Sequence, residues 1–447
     1  MSRLRRIIAV WAAKATGFAC RITGKQGVTL AGQIALKIDP DILKELSGQV
    51  KEKIFVTCGT NGKTTTNNLL CSAIEAEGKK VVCNHTGSNM LNGVAAAFAQ
   101  NASLSGNLKA DYACIEVDEA STVRIFPHFK PDYMVLTNLF RDQLDRYGEI
   151  DITMNLLKKA MEMAPEMEVI VNGDDSLSTY LAMESGNPYV TFGIGEQYFK
   201  DQKDSGEIRE GTFCKKCGSR MEYHFYHYSQ LGDYRCPKCG FKRPEINFDA
   251  TDVKVDDQIA FTVEDKRIVA NYKGFYNVYN ILAAYAGIRT AGFKAEHFNE
   301  MLKKFNPENG RNEQFRIKGT SVVLNLAKNP AGFNQNISAV MQDESPKDII
   351  IVINDNAQDG KDISWLWDVD FDLFGGDNIN SITVSGIRCQ DMRLRLKYVD
   401  IPSMLENDVE TAIRKRIEDG CGNLYVLVNY TALFGTRNIL KKLEGEK

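Results

Sequence analysis

The 447-residue sequence carries almost no excess of charge: 55 Lys and Arg stand against 58 Asp and Glu, a formal net charge of −3. A global basic field of the kind that gathers nucleic acid is therefore excluded, and any anion must be bound locally. Long hydrophobic runs are missing too. The apolar stretch Ile7–Ala13 follows a basic start but ends at Lys14, with Arg21 and Lys25 beyond it, which argues against both a membrane span and an export signal. This segment is expected to form a terminal helix docked on the protein. The alternative is a basic amphipathic helix on a membrane surface, and both readings keep the chain in the cytoplasm. A disulfide framework is also absent. The eleven cysteines are an odd number, and seven of them (Cys20, Cys58, Cys71, Cys83, Cys114, Cys389, Cys421) are scattered singly, several in apolar stretches such as Tyr112–Val117, as suits buried thiols in a reducing compartment. No internal repeat or low-complexity tract occurs.

What is present has the balance of a soluble globular enzyme, 43% hydrophobic and 25% charged. At roughly 100–200 residues per domain, the length suggests two or three domains. Strand-like segments (Ile54–Thr57, Lys80–Cys83, Ala113–Val117, Tyr133–Thr137, Val169–Val171, Tyr189–Phe192) alternate with stretches of helical spacing such as Thr65–Glu77 and Ile152–Met163, which predicts a mainly parallel α/β sheet. The polar stretch Asp201–Pro244 interrupts this pattern as an insertion, and Asp249–Asn271 reads as hairpin strands. The helix Asn277–Ala291 and the loop Asn306–Arg311 lead to a second α/β run through Ser321–Leu324, Ile349–Ile353, Ser381–Val384 and Leu424–Val428, with a boundary near Glu313.

The segment Ile54–Thr66 places a strand, a Gly-containing loop and a helix in the order that holds a nucleotide triphosphate. Backbone N–H groups of Gly59, Thr60, Asn61 and Gly62 would cradle phosphate at the helix N-terminus, with Thr65 in the first turn. Lys63 would reach the terminal phosphates and Thr64 would ligate Mg²⁺. A simple Gly turn would not require Lys-Thr at the helix start. The strict Walker spacing asks for Gly at position 57, where Thr57 stands. The loop Gly-Thr-Asn-Gly-Lys-Thr-Thr instead resembles the variant of Mur ligases and folylpolyglutamate synthases.

Carried over residue by residue, the resemblance implies further roles. Gly87-Ser88-Asn89 is similar to the loop whose Asn contacts the γ-phosphate, and Glu116 to the carboxylate that holds Mg²⁺. Thr137–Asp145 resembles a metal-binding segment, with Gln143 where a His is usual. Gly274–Asn280 resembles the adenine-contacting stretch, with Tyr276 replacing His and Asn277 and Asn280 retained. Arg311 and Lys328 resemble the Arg and Lys by which the C-terminal domain closes on ATP. Lys159, thirteen residues before Asn172, falls about where the family often carries a carbamoylated Lys; a plain surface helix Lys is the other reading.

Cys214, Cys217, Cys236 and Cys239 form C-x2-C-x18-C-x2-C, within the zinc-ribbon range. Each C-x2-C-Gly turn points two thiolates at one metal, and four thiolates leave no open position, so the site is expected to be structural Zn²⁺. A pair of redox motifs is the alternative. His224 and His227 are expected to be bystanders.

In the second domain, Ile353–Asp368 is polar and follows a strand end, where ligand sites gather in open α/β sheets. Its Asp-Gly-Lys-Asp-Ile-Ser-Trp-Leu-Trp-Asp stretch resembles the signature of the MurT family. The resemblance implies an α/β chain with a Mur-ligase central P-loop domain carrying an inserted zinc ribbon, plus a smaller, Rossmann-like C-terminal α/β domain. The expected divisions are a segment 1–40, an ATP-binding domain 41–312 with the ribbon at about 205–245, and a C-terminal domain 313–447. It further implies ATP-dependent amidation of the α-carboxylate of D-glutamate in lipid II. The ammonia would come from a GatD-like glutaminase subunit, whose catalytic triad Asp355 would complete across the interface. Only 52 residues precede Lys53, so a UDP-binding domain is not expected, which is compatible with a lipid-linked substrate at the membrane face. No glutaminase is visible in the chain itself, since Cys421 has no His with an identifiable role. A stand-alone ligase joining an amino acid to a carboxylate remains open, as does a nucleotide-gated nucleic-acid binder, although the charge balance opposes the latter.

Overall fold

The computed structural model describes residues 2–22, 27–141, 150–199, 210–256, 258–271, 273–305, 313–356 and 359–446. They fall into two compact units, one of Met1–Phe140, Ile150–Asp201 and Glu210–Phe305, the other principally Asn306–Lys447.

The strands of the first unit are β1 (Lys53–Cys58), β2 (Val81–Cys83), β3 (Tyr112–Glu116), β4 (Tyr133–Leu136), β5 (Glu168–Asn172), β6 (Tyr189–Ile194), β7 (Glu222–Tyr228), β8 (Leu231–Arg235), β9 (Phe248–Val255), β10 (Ile259–Val263) and β11 (Lys266–Ala270). Nine of them form one sheet in the order β11-β10-β9-β6-β5-β4-β1-β3-β2. From β9 to β2 every pairing is parallel, and β10 and β11 extend the edge antiparallel. Strands such as β3, buried along their whole length, need helices on both faces, which explains their uninterrupted apolar runs. The chain leaves β1 toward β3 and β2 on one side and later toward β4 on the other. The carboxyl end of β1 is therefore the topological switch point, where open α/β sheets bind ligands.

The helix Lys63–Ala76 begins directly after this point and is largely buried. Against it packs Tyr276–Thr290, whose Gly287 admits the Leu70 side chain: an added Cβ would lie 3.0 Å from Leu70 Cδ1. The expected terminal helix is present as Ser2–Ile22 and buries Ala9, Val10 and Ala13 against its neighbours Val28–Ile38 and Leu91–Asn101. Those two neighbours approach so closely that a Cβ on Gly32 would meet the Asn92 carbonyl oxygen at 1.7 Å.

The inserted segment forms the two-stranded ribbon β7–β8, and among its described residues Cys214, Met221, Tyr234, Cys236 and Phe241 make up a small buried cluster of its own. It gains stability by docking. Arg243 Nε donates to Asp174 Oδ1 at 2.7 Å, Tyr279 Oη donates to Asp174 Oδ2 at 2.7 Å, and His227 Nδ1 lies 2.6 Å from the same Tyr279 hydroxyl. His227 is therefore no metal ligand, yet it is not idle: it is fully buried between Tyr279 and the Glu196 carbonyl, and burial lowers its pKa, keeping the ring neutral. His224 is exposed. Replacing Arg243 by Met strands a buried carboxylate, so a loss of about 3–5 kcal/mol is expected. A denaturant midpoint unchanged from the parent would contradict this docking role.

The second unit holds β12 (Glu313–Ile317), β13 (Thr320–Leu326), β14 (Lys347–Val352), β15 (Ile379–Ser385), β16 (Met404–Leu405) and β17 (Asn423–Val428), in the order β12-β13-β17-β14-β15-β16. All pairings are parallel except β12–β13. Ile349, Ile351, Phe333 and Phe371 fill one face and Val322, Ile350, Leu424 and Val426 the other. Sequence periodicity did not find the edge strands β12 and β16, which are half polar or only two residues long.

Candidate active site

The loop after β1 is built on two glycines in the left-handed region, Gly59 (φ 120°) and Gly62 (φ 85°). Neither tolerates a side chain. A Cβ on Gly59 would lie 2.2 Å from Thr137 Oγ1, and one on Gly62 would lie 2.1 Å from Asn280 Oδ1. The loop is clamped to the end of β4: Thr60 N donates to the Asn138 carbonyl at 2.8 Å, Asn61 N to Asn138 Oδ1 at 2.9 Å, and Thr137 Oγ1 to the Asn61 carbonyl at 2.8 Å. Held this way, the backbone from Gly59 to Gly62 leads into the N-terminus of Lys63–Ala76, the geometry of an anion cradle.

Lys63 Nζ donates to the Gly59 carbonyl at 2.6 Å and pairs with Glu119 Oε1 at 2.8 Å. Burial opposes its charge, but the carboxylates of Glu119, Asp118 and Glu116 outweigh that and hold its pKa above the usual lysine range. Glu119 also accepts from Gly59 N at 2.9 Å, so it fixes both the loop and the lysine; burial raises its pKa, with Lys63 opposing. Sequence reasoning assigned no role to Glu119. The available signal was a third carboxylate just past the β3 end, but its pairing with a residue 56 positions away is visible only in three dimensions.

Glu116 closes β3. Its Oε1 accepts from Asn89 Nδ2 at 2.9 Å, while its Oε2 is buried with no hydrogen-bond partner. An added Cβ on Gly87 would lie 3.2 Å from Thr64 Oγ1 and 3.4 Å from that same Oε2, so the three residues border one small space. An orphaned carboxylate oxygen beside a hydroxyl is a donor set of hard oxygens, and it fits Mg²⁺. Asn84, unnoticed in the sequence, fixes this corner. It donates to the Ser88 and Glu116 carbonyls and accepts from Glu116 N.

Asn280 donates to Asn277 Oδ1 at 3.0 Å; both are buried at the start of Tyr276–Thr290, and Asn280 lies beside Gly62. The structure thus brings together Gly59, Thr60, Asn61, Gly62, Lys63, Thr64, Thr65, Asn89, Glu116, Asn277 and Asn280. Lys159 is exposed on the helix Ile150–Glu162. Gln143 and Arg311 lie outside the described residues.

Lys328 belongs to the second unit, exposed, with its ammonium 4.7 Å from the Tyr430 ring centroid. Asp355 follows the end of β14, the switch point of the second sheet between β17 and β15. Its carboxylate pairs with Arg388 Nη2 at 2.8 Å and accepts from Arg388 Nε at 3.0 Å. Residues on either side are tied to the end of β17 and the helix after it: Asn354 exchanges hydrogen bonds with Asn429, and buried Asp359 accepts from Thr431 N. Arg388 is a partner that sequence reading did not supply.

The sulfurs of Cys214 and Cys239 lie 3.6 Å apart, those of Cys217 and Cys236 3.5 Å, and all four fall within 4.8 Å of one another. At about 2.3 Å from a central metal, tetrahedral thiolates would stand about 3.8 Å apart. The cluster fits one metal ion.

Comparison with known proteins agrees with these features. The Mur ligase middle domain family matches residues 56–288 and the MurT ligase C-terminal family residues 326–433. The lipid II isoglutaminyl synthase (glutamine-hydrolyzing) subunit MurT of Staphylococcus aureus (strain COL) is 35% identical over 432 residues, 96% of each chain. Its namesake from Streptococcus pneumoniae (strain ATCC BAA-255 / R6) is 32% identical over 448 residues, 98% of this chain and 97% of that one. In fold, the chain resembles a pseudomurein peptide ligase type C from Methanothermus fervidus (TM-score 0.68, 22% identity, covering 89% of this chain and 80% of that one). It also resembles MurF ligase from Thermotoga maritima in complex with ADP (TM-score 0.62, 15% identity, covering 93% and 84%). A phosphate loop of the Mur type, the second α/β unit that follows it, and full-length relatives at this level of identity together show that the chain belongs to the MurT family of Mur ligases.

Proposed function

We propose that this chain is the ATP-consuming subunit of a lipid II isoglutaminyl synthase, converting the α-carboxylate of D-glutamate in the peptidoglycan precursor to the amide. The observation that carries the reading is the corner formed by Lys63, Thr64 and the unpaired oxygen of Glu116, in a chain whose full-length relatives bear that name. A carboxylate is a poor electrophile. Its oxygen attacks the γ-phosphorus of ATP and releases ADP; ammonia then adds to the acyl phosphate and expels phosphate. The loop N–H groups and the Lys63 ammonium stabilise negative charge on the transferring phosphoryl group. Mg²⁺, held by Thr64 and Glu116, would offset further charge there. Asn277 and Asn280 contact adenine on this reading, and Arg311 and Lys328 are its further ATP-contacting residues. Ammonia comes from a GatD-like glutaminase, whose catalytic His Asp355 orients. The protein works at the inner face of the membrane, where its lipid-linked substrate lies.

Supplying lipid II, ATP and ammonium tests the chemistry. The expected product differs from substrate by NH₂ in place of OH; a product heavier by a whole amino-acid residue would instead support the stand-alone ligase reading.

The four cysteines hold structural Zn²⁺ on the same proposal. Cys214→Ser or Cys239→Ser should lose the metal and destabilise the ribbon while ATP binding at the phosphate loop persists. Elemental analysis finding no zinc in the parent protein would refute this.

A further inference from the structure

We propose that the outer face of the helix Ser2–Ile22 is a docking surface for an anionic phospholipid bilayer, lying in the plane of the membrane interface. The inner face of this helix is used up in packing Ala9, Val10 and Ala13. Its outer face is a continuous apolar stripe. Leu4, Ile8, Trp11, Phe18 and Ile22 are each between 49% and 71% exposed, Ala15 is exposed between them, and at 100° per residue all six point within about 40° of one direction. Trp11 Nε1 donates to the Leu104 carbonyl at 2.8 Å, which ties the indole to Leu104, itself 61% exposed, and broadens the patch.

Charge identifies the occupant. The helix holds Arg3, Arg5, Arg6, Lys14 and Arg21 and no acidic residue. Arg3 and Arg5 are exposed and lie at about 100° to either side of the stripe, where a helix half sunk in the interface meets headgroups. Arg6 is turned inward and paired with Glu45 at 2.9 Å, so the exposed cations flanking the stripe are Arg3 and Arg5. A second copy of the same face would set these like charges against each other, whereas a negatively charged bilayer attracts them at about 1 kcal/mol per residue near the surface. No described helix is long and apolar enough to cross a membrane, so the contact is interfacial. This surface is independent of the chemistry proposed for the phosphate loop.

The test is sedimentation of the full chain with vesicles of phosphatidylglycerol and phosphatidylcholine containing no lipid II, compared with pure phosphatidylcholine. Binding is expected to the anionic vesicles, to weaken with added salt, and to shift Trp11 emission to the blue; Trp11→Phe removes that shift. Ile8→Glu with Phe18→Glu should weaken binding at least tenfold, and Arg3→Glu with Arg5→Glu should remove the preference for anionic lipid. Both double variants should retain ammonium-driven amidation of a water-soluble substrate analogue, which shows that they fold. The proposal is overturned if the parent chain stays in the supernatant at low salt. It is equally overturned if the apolar variant binds as the parent does, or if the parent is a dimer that this variant makes monomeric.

Discussion

Lys63→Ala is expected to lower ATP-dependent amidation at least about 10²–10³-fold, the loss that follows removal of one group stabilising a developing anion. The structure adds a second expectation. Lys63 is the cation paired with buried Glu119, which also holds Gly59 N. Without it, Glu119 must either stay charged and unpaired or take up a proton, and the carboxyl, its pKa already raised by burial, is inclined to protonate. Some stability will be lost, so activity alone would confuse misfolding with lost chemistry. Lys63→Met combined with Glu119→Gln removes both charges, and it should recover the denaturant midpoint without recovering turnover. A double variant that regains amidation would show that the ammonium does not act on phosphate.

Asp355→Asn should separate the two halves of the reaction. On the proposed reading, glutamine-driven amidation falls while ammonium-driven amidation and ATP binding stay near normal. In a serine-protease triad, Asp to Asn costs about 10⁴ in kcat through the wrong His tautomer; a Cys nucleophile depends less on its base, so a smaller loss is expected here. Asp355 is held by Arg388, and the amide introduced by Asp355→Asn would keep a hydrogen bond to that guanidinium while losing the ion pair. Arg388→Lys is therefore a useful companion: the charge stays, the two-point grip on Asp355 is lost, and a partial fall in glutamine use is expected. If Asp355→Asn hydrolyses glutamine normally yet fails to amidate with ammonium, the residue serves the ligase reaction instead.

What the sequence made legible was whatever depends on local spacing. The Gly59-to-Thr65 loop, the paired C-x2-C knuckles and the alternation of strand and helix each reflect short-range geometry, and the structure contains all three. What it hid depends on contacts between distant segments. Nothing in the local sequence separates Glu119 from Asp118, and only the meeting of β1 with β3 singles out Glu119 as the partner of Lys63. His227 passed for a bystander of the ribbon because its partners Tyr279 and Glu196 lie 52 and 31 positions away. The terminal helix was legible as a helix, but its exposed stripe became visible only once Ala9, Val10 and Ala13 showed which side is buried.

The most direct measurement reconstitutes the chain with a GatD-like glutaminase and supplies lipid II, ATP and glutamine labelled with heavy nitrogen at its amide. The account predicts that the label appears in the carboxamide of D-isoglutamine, with ADP and phosphate formed in step with it and neither product nor ADP accumulating without lipid II. Label found only in free ammonia while ATP is consumed, or a product lengthened by an amino acid, would contradict it.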